Sequence, residues 1–247
     1  MNLTTLNIAS YQGKALYDDV EHNLQIIKQV ISKAEKSGID IVCFPECFIQ
    51  GYILDKVQAQ NVSFNLRSKK FQDIMRILYS QTTTIILGLI EQENGILFNT
   101  AVVIEQGKLI GKYRKQHLLK KENFFKEGND SPVFQKNGVK YGINICSDTR
   151  YTKSIKKMVR MGAQILFFPL NNSLPHDVAL RWKNKHLKYW IEHAKNTSCW
   201  VVTSDVVEKS ETNTGFGFTT IIDPQGKVIQ TAGYLNLGMI HQKMRIR

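Results

Sequence analysis

The sequence predicts an α/β protein in which two sheets are covered by helices, and three observations carry that prediction. Strand-like apolar runs alternate with helical segments and hairpins along the chain, the pattern of layered α/β architectures. Two stretches echo each other: Gly38-Ile39-Asp40-Ile41-Val42-Cys43-Phe44-Pro45 matches Gly162-Ala163-Gln164-Ile165-Leu166-Phe167-Phe168-Pro169, and Thr100-Ala101-Val102-Val103 with Gly107-Lys108 matches Thr219-Thr220-Ile221-Ile222 with Gly226-Lys227. No Pro-rich, Ser-rich or low-complexity linker divides the 247 residues, so the expectation is one domain over 1–247 built from two related halves.

A first strand is expected at Thr4 to Gln12. The first helix follows from the stripe Val20, Leu24, Ile27, Ile31 and Ala34, with Asp18-Asp19 favouring its start and Gly38 its stop. Further strands are expected at Ile39–Phe44, Thr83–Ile90, Asn99–Ile104, Leu109–Tyr113, Tyr141–Ile145, Ile165–Phe168, Trp200–Ser204 and Phe216–Ile222. A helix is expected to begin near Tyr151 with Ser147, Asp148 and Thr149 as possible caps, and another to run from about Val178 to Lys195 carrying Trp182, Trp190 and Ile191.

With 43% apolar and 22% charged residues, the composition is that of a globular chain long enough to bury a sizeable core. The longest apolar stretch, around Ile165–Phe168, is far short of the roughly 20 residues of a membrane span. Met1-Asn2-Leu3-Thr4-Thr5 lacks a basic region and an extended apolar run, so no secretory leader is expected and the protein is read as soluble and cytoplasmic. The formal charge of +12 concentrates at Lys112–Lys126 and at Lys153–Arg160. In the second cluster Lys153, Lys156, Lys157 and Arg160 share one helical face, read as solvated; no nucleic-acid motif accompanies it, so neither nucleic acid nor membrane is an expected partner.

Cys43, Cys47, Cys146 and Cys199 show neither a disulfide framework nor a zinc-site spacing. Cys43, Cys47 and Cys199 are read as core residues, Cys47 lying next to a carboxylate of interest. The histidines other than His117 show no ligand spacing; His186 and His193, seven apart on one expected helix, are attributed to chance.

Three strand-like runs each end in a reactive side chain: Ile41–Pro45 delivers Glu46, Leu109–Arg114 delivers Lys115, and Tyr141–Ile145 delivers Cys146. Strand ends converge on one rim of a sheet. A thiol, a carboxylate and an ammonium brought together there form a nucleophile, a base and an oxyanion partner. A carboxylate following Pro on an apolar strand loses water and is tuned upward, as a general base requires.

At these residues the chain resembles the nitrilase superfamily of carbon-nitrogen hydrolases, and the resemblance runs nearly end to end. It rests on Pro45-Glu46, on Tyr113, Arg114, Lys115, His117 and Leu118, and on Cys146, Asp148, Arg150 and Tyr151. Asn23-Leu24, Gly51-Tyr52, Gly162-Ala163 with Pro169, and Gly215-Phe216-Gly217 leading to Asp223-Pro224-Gln225-Gly226 fall where the family places them. The resemblance implies a four-layer α-β-β-α sandwich, a catalytic set of Glu46, Lys115 and Cys146, no metal or organic cofactor, and assembly as a homodimer or larger homo-oligomer. It implies hydrolysis of a small amide through a Cys146 thioester, with the backbone N–H of Ser147 as a second oxyanion donor. His117 is read as a positioning or structural residue rather than the base of a Cys-His pair.

Two departures from the family pattern matter. The family's second Glu, set at a fixed distance before a Phe and a Gly, finds Lys121 in the aligned place and Glu122 one residue out of register; Glu122 is retained as a group that orients Lys115 or substrate. The later Arg-Ala-x-Glu-Asn block is replaced by Glu192-His193-Ala194-Lys195-Asn196. Cys-Ser-Asp-Thr-Arg resembles the amidase and carbamoylase branches more than true nitrilases, which tend to carry Trp-Glu after Cys. The expected substrate is therefore a small non-peptide amide or N-carbamoyl compound; the alternatives are a small nitrile, or a catalytically lapsed member binding an acidic partner. Pocket loops are expected at Tyr52–Asn61, Lys120–Pro132 and Asn171–Arg181, with Tyr52, Asn171 and Asn172 as candidate ligand contacts.

Overall fold

The computed structural model describes residues 3–246, so the leader reading at Met1 and Asn2 lies outside it. In chain order the strands are β1 (Thr4–Gln12), β2 (Ile41–Cys43), β3 (Thr84–Glu93), β4 (Ile96–Glu105), β5 (Lys108–Arg114), β6 (Val133–Lys136), β7 (Val139–Ile143), β8 (Ile165–Pro169), β9 (Leu174–Pro175), β10 (Trp200–Ser204), β11 (Val207–Lys209), β12 (Asn213–Phe216), β13 (Thr220–Ile222), β14 (Val228–Thr231) and β15 (Gly238–Ile246). The helices are α1 (Val20–Lys36), α2 (Lys56–Val62), α3 (Lys69–Ile77), α4 (Thr152–Arg160), α5 (His176–Lys183) and α6 (His186–Thr197).

The strands build two six-stranded sheets, ordered β15-β1-β2-β3-β4-β5 and β14-β13-β10-β8-β7-β6, with β9, β11 and β12 in a small third sheet. The two large sheets repeat one plan. In the first, β1, β2 and β3 run parallel and β4 and β5 return antiparallel; in the second, β7, β8 and β10 are parallel and β13 and β14 antiparallel. The sequence echoes fall on equivalent strands: β2 with β8, and β4 with β13.

Alternation along each strand explains why these runs read as continuously apolar. Ile41 and Cys43 of β2 face Ile165 and Phe167 of β8 in the layer between the sheets, while Val42 packs under α1 and Leu166 and Phe168 pack under α4 and α6. Strands buried on both faces have no polar side to show. The result is the α-β-β-α sandwich. Each fully buried aromatic is worth roughly 1.5–3 kcal/mol in transfer alone, and Phe167 and Tyr141, in T-shaped contact at 5.5 Å, anchor the middle layer. Cys43, Cys47 and Cys199 are all buried in apolar clusters.

Several expectations are corrected. The helix expected over Val178–Lys195 is two helices, because the chain tightens after α5, where Lys185 N–H donates to Trp182 O at 2.9 Å, and Asn184, a residue whose side chain competes with helical bonding, sits at the joint. The expected strand Phe216–Ile222 is also divided: β12 ends at Phe216 in the small sheet, and β13 starts at Thr220 in the large one. Strands β6, β9, β11, β14 and β15 and helices α2 and α3 were not anticipated.

The basic run at Lys112–Lys126 is not one solvated patch. Glu91, buried in the sheet, accepts from Lys112 at 2.5 Å and from Arg114 at 2.9 and 2.6 Å, and the Arg114 guanidinium lies 3.6 Å from the Phe98 ring centroid. On α4, by contrast, Lys153, Lys156, Lys157 and Arg160 are exposed while Ile155 and Met158 are buried. No helix among the described residues is long and apolar enough to cross a membrane.

Candidate active site

Glu46, Lys115 and Cys146 each follow the C-terminal end of a strand, and the sandwich brings those ends to one place. Glu46 sits three residues beyond β2, in a turn where Cys47 adopts φ +50°. The turn rests on Gly88 of β3: a Cβ there would lie 2.3 Å from Pro45 O and 2.5 Å from Cys47 N, so no side chain fits. Glu46 N–H donates across the sandwich to Leu170 O at 3.1 Å.

Lys115 directly follows β5. Its N–H donates to Asn99 O and its carbonyl accepts from Gly128 N–H, both at 2.8 Å. A Cβ on Gly128 would stand 2.4 Å from Arg114 O, so this close approach also requires glycine. The Lys115 ammonium is fully buried and donates at 2.7 Å to Glu46 Oε1 and at 2.7 Å to Glu122 Oε1. Asn99 Nδ2 reaches the same two oxygens at 2.7 and 3.3 Å. A 3-10 turn, Lys120–Glu122, swings Glu122 inward, and Leu119 N–H locks its other oxygen at 2.6 Å. The residue one place out of register is thus the one beside Lys115, while Lys121 lies 5.2 Å from the Tyr52 ring centroid.

Cys146 begins a 3-10 turn, Cys146–Arg150, after β7, and takes φ +45°. A non-Gly residue in the left-handed region is costly and, where it persists, is held by its surroundings. Here the holder is Asp148, whose carboxylate accepts from Ile145 N, Tyr113 OH, Gln116 N, His117 N and His117 Nδ1 between 2.8 and 3.2 Å. One buried carboxylate therefore ties the Cys146 turn to the segment carrying Lys115. Ser147 Oγ donates to His117 O at 2.5 Å, and the His117 and Tyr151 rings stack at 3.8 Å. The expected caps are corrected accordingly: Ser147, Asp148 and Thr149 shape this turn, and α4 starts without a side-chain cap at Tyr151.

Electrostatics follow from burial. Desolvation raises the Glu46 carboxyl, with Lys115 pulling it back and Glu122 pushing it further up. For Lys115, burial works against the charge, but Glu46, Cys146 and Glu122 outweigh it and hold the ammonium above its ordinary range. The Cys146 thiol is pushed well up, by burial first and then by Glu46, against the opposing pull of Lys115 and a hydrogen bond from the Asn171 backbone. Cys146 therefore rests as a thiol. Glu46 Oε1 is taken by Lys115 and Asn99, whereas Glu46 Oε2 is buried without a partner.

The remaining candidates distribute unevenly. The Tyr52 ring centroid lies 5.9 Å from Lys115 Nζ. Asn171 meets Cys146 through its backbone. Asn172 lines a small cavity beside Cys146 but commits its amide to Asp205, Nδ2 to Oδ2 at 2.9 Å. His186 and His193 line no common site: His193 Nε2 bonds Thr149 O at 2.6 Å, and His186 packs against Phe218. Asn99 and the hub role of Asp148 went unread in the sequence; a polar residue inside the apolar run Leu97–Val103 was the available signal for Asn99.

The profile of the carbon-nitrogen hydrolase family matches residues 7–245, and the chain belongs to that family. It is 27% identical over 226 residues to a nitrilase from Pyrococcus abyssi, covering 86% of this chain and 79% of the relative. It is also 27% identical over 241 residues to the N-carbamoylputrescine amidase of Solanum lycopersicum, covering 89% and 79%. Among solved structures, an amidase from Nesterenkonia sp. AN1, in a mutant form with the acetamide moiety of fluoroacetamide added at its active-site cysteine, superposes with a TM-score of 0.83 at 18% identity, covering 97% of this chain and 90% of that one.

Proposed function

We propose that this carbon-nitrogen hydrolase cleaves a small non-peptide amide or N-carbamoyl compound through a thioester on Cys146, with Glu46 as base and Lys115 as oxyanion partner. The observation that carries this is the division of labour on Glu46. Its Oε1 is saturated by Lys115 and Asn99, leaving the buried Oε2 as an acceptor with nothing in the fold to accept from. A buried acceptor left open is costly and needs a reason; a proton from Cys146 supplies one.

The steps balance as general-base acyl transfer. Glu46 takes the Cys146 proton as sulfur attacks the carbonyl carbon, and the carbonyl oxygen becomes an oxyanion held by Lys115 and the Ser147 N–H. The C–N bond breaks as Glu46 returns the proton to nitrogen, releasing ammonia or an amine. Water, deprotonated by Glu46, then attacks the thioester, and the acid departs as sulfur regains its proton. Because Cys146 rests as a thiol, the base is needed at the moment of attack. Glu122 and Asn99 hold Lys115 and Glu46 at fixed distance and so act as positioning residues.

The relatives named as nitrilase and as N-carbamoylputrescine amidase frame the substrate choice. Ser147-Asp148 following the nucleophile favours the amide reading, and nitrile hydrolysis is the second reading.

Fluoroacetamide tests the nucleophile. Treatment should add one acetamide moiety per chain, mapped to Cys146 by peptide mass analysis and absent from Cys146→Ala. Labelling at Cys43, Cys47 or Cys199 in place of Cys146, or no labelling, would overturn the assignment.

A further inference from the structure

Asp205 directly follows β10, whose last residue, Ser204, pairs with Pro169 at the end of β8. It thus stands at a fourth strand end, beside those that carry Glu46, Lys115 and Cys146, and the chemistry described above makes no use of it. Asp205 is fully buried, and both its oxygens are filled by N–H donors. Asn172 N–H and Val206 N–H reach Oδ1 at 2.9 Å, while Asn172 Nδ2 and Phe218 N–H reach Oδ2 at 2.9 and 3.2 Å. Four donors call for a carboxylate, since a proton on either oxygen would meet an N–H. Burial raises the Asp205 carboxyl and these donors pull it back; a buried charge held by neutral donors is costly and needs a reason. The loop it holds supplies one. Asn172 is gripped twice, by main chain and by side chain, and the two residues before it touch the reacting groups. Asn171 donates its backbone N–H to Cys146. Leu170 donates to Ser204 O at 2.7 Å and accepts from Glu46 N–H at 3.1 Å.

We infer that Asp205 is a positioning residue for the chemistry at Cys146: by clamping Asn172 it aims the Asn171 N–H at the Cys146 sulfur. The inference rests on the proposed thioester mechanism and deepens it. A donor on sulfur favours the negative charge that sulfur gains when Glu46 takes its proton. The same donor favours that charge again when sulfur leaves the thioester. An N–H fixed in advance gives this help without reorganisation at the moment of reaction, whereas one on a free loop must first be ordered. Asn171 is not left to hold itself, for its side chain is spent locally, accepting from Ser173 N–H at 3.3 Å. Asp205 acts through the loop and not on the substrate, so its removal falls on turnover rather than on binding.

Asp205→Asn tests this, because it keeps the shape and sets an NH2 group against the Phe218 N–H and the Asn172 amide. On a panel of small amides and N-carbamoyl compounds, kcat should fall about tenfold to a hundredfold while KM changes little. Alkylation of Cys146 by chloroacetamide, located by peptide mass analysis, should slow by a similar factor. Asn172→Ala removes one of the four donors and should slow both reactions by less, about twofold to tenfold. Thermal unfolding is read alongside. A lower melting temperature in Asp205→Asn with wild-type kcat and wild-type alkylation would make the carboxylate a structural staple and overturn the assignment. If Asp205→Asn does not fold, wild-type alkylation in Asn172→Ala overturns it instead. Alkylation slowed by these substitutions, in a protein that hydrolyses none of the panel, would sink the hydrolase reading and leave this one standing. Wild-type turnover in Asp205→Asn would do the reverse.

Discussion

Glu46 and Leu170 occupy equivalent places in the two halves, each directly after the proline that closes an echoed run, Pro45 after β2 and Pro169 at the end of β8, and they are hydrogen-bonded to each other at 3.1 Å. The same turn position thus serves twice. In the first half it carries the carboxylate; in the second it offers a backbone carbonyl that fixes that carboxylate's main chain and begins the loop whose next residue, Asn171, touches Cys146. Packing the two sheets face to face is what converts remote chain positions into one site.

Gly88→Ala should damage this arrangement without entering it. The new Cβ would press on Pro45 O and Cys47 N, both backbone atoms that cannot swing aside. The expected outcome is about a hundredfold loss of kcat/KM from a displaced Glu46, with a stability loss of about 1–3 kcal/mol in urea unfolding. Wild-type kinetics in this variant would show that the turn tolerates movement.

Glu122→Gln should shift the pH–rate profile toward acid. The Glu122 charge contributes to raising Glu46, Lys115 and Cys146. Removing it lets Glu46 ionise at lower pH, moving the acid limb down, and lets Lys115 lose its proton at lower pH, moving the alkaline limb the same way. A profile measured from pH 5 upward that stays in place, or moves toward alkali, would contradict the charge assignment.

Asp148→Asn should destabilise more than Tyr113→Phe. The carboxylate accepts from five donors, and an amide there would set its own N–H against one of them. The expected cost is about 2–4 kcal/mol, against about 1 kcal/mol for loss of the Tyr113 hydroxyl. Chemical unfolding monitored by tryptophan fluorescence checks the order, which would be refuted by equal effects.

Cys146 should be alkylated by neutral haloacetamides only with the help of Glu46. Burial holds the thiol above its ordinary range, so at pH 7 the free thiolate is scarce and Glu46→Gln should slow alkylation at least tenfold, by about the contribution of one general base. Equal rates in wild type and variant would mean that the thiolate is already formed.

The legibility of the site in the sequence had a physical limit. Glu46 and Cys146 stood out because β2 and the β7 segment are buried on both faces and end abruptly in a polar residue. Lys115 stood out only through its motif, since its burial depends on pairing with two carboxylates that are remote or displaced in sequence. Glu122 defied spacing because a 3-10 turn, wound at about three residues per turn, changes which side chain faces inward. Asn99 was one polar residue in an apolar strand, and its partners on β2's turn and the Lys120–Glu122 turn exist only after folding. The helix break after Lys183 and the switch of sheets after Phe216 were likewise set by tertiary packing, as was β15, whose pairing with β1 joins residues more than two hundred apart.

Acid-quenched intact mass spectrometry during turnover of a panel of small amides, N-carbamoyl compounds and nitriles tests the centre of this account most directly. A productive compound should leave a hydroxylamine-labile acyl increment that maps to Cys146 and disappears, together with ammonia release, in Cys146→Ala. Ammonia release that persists in Cys146→Ala, or proceeds in wild type with no acyl group trapped there, would contradict covalent catalysis at this sulfur.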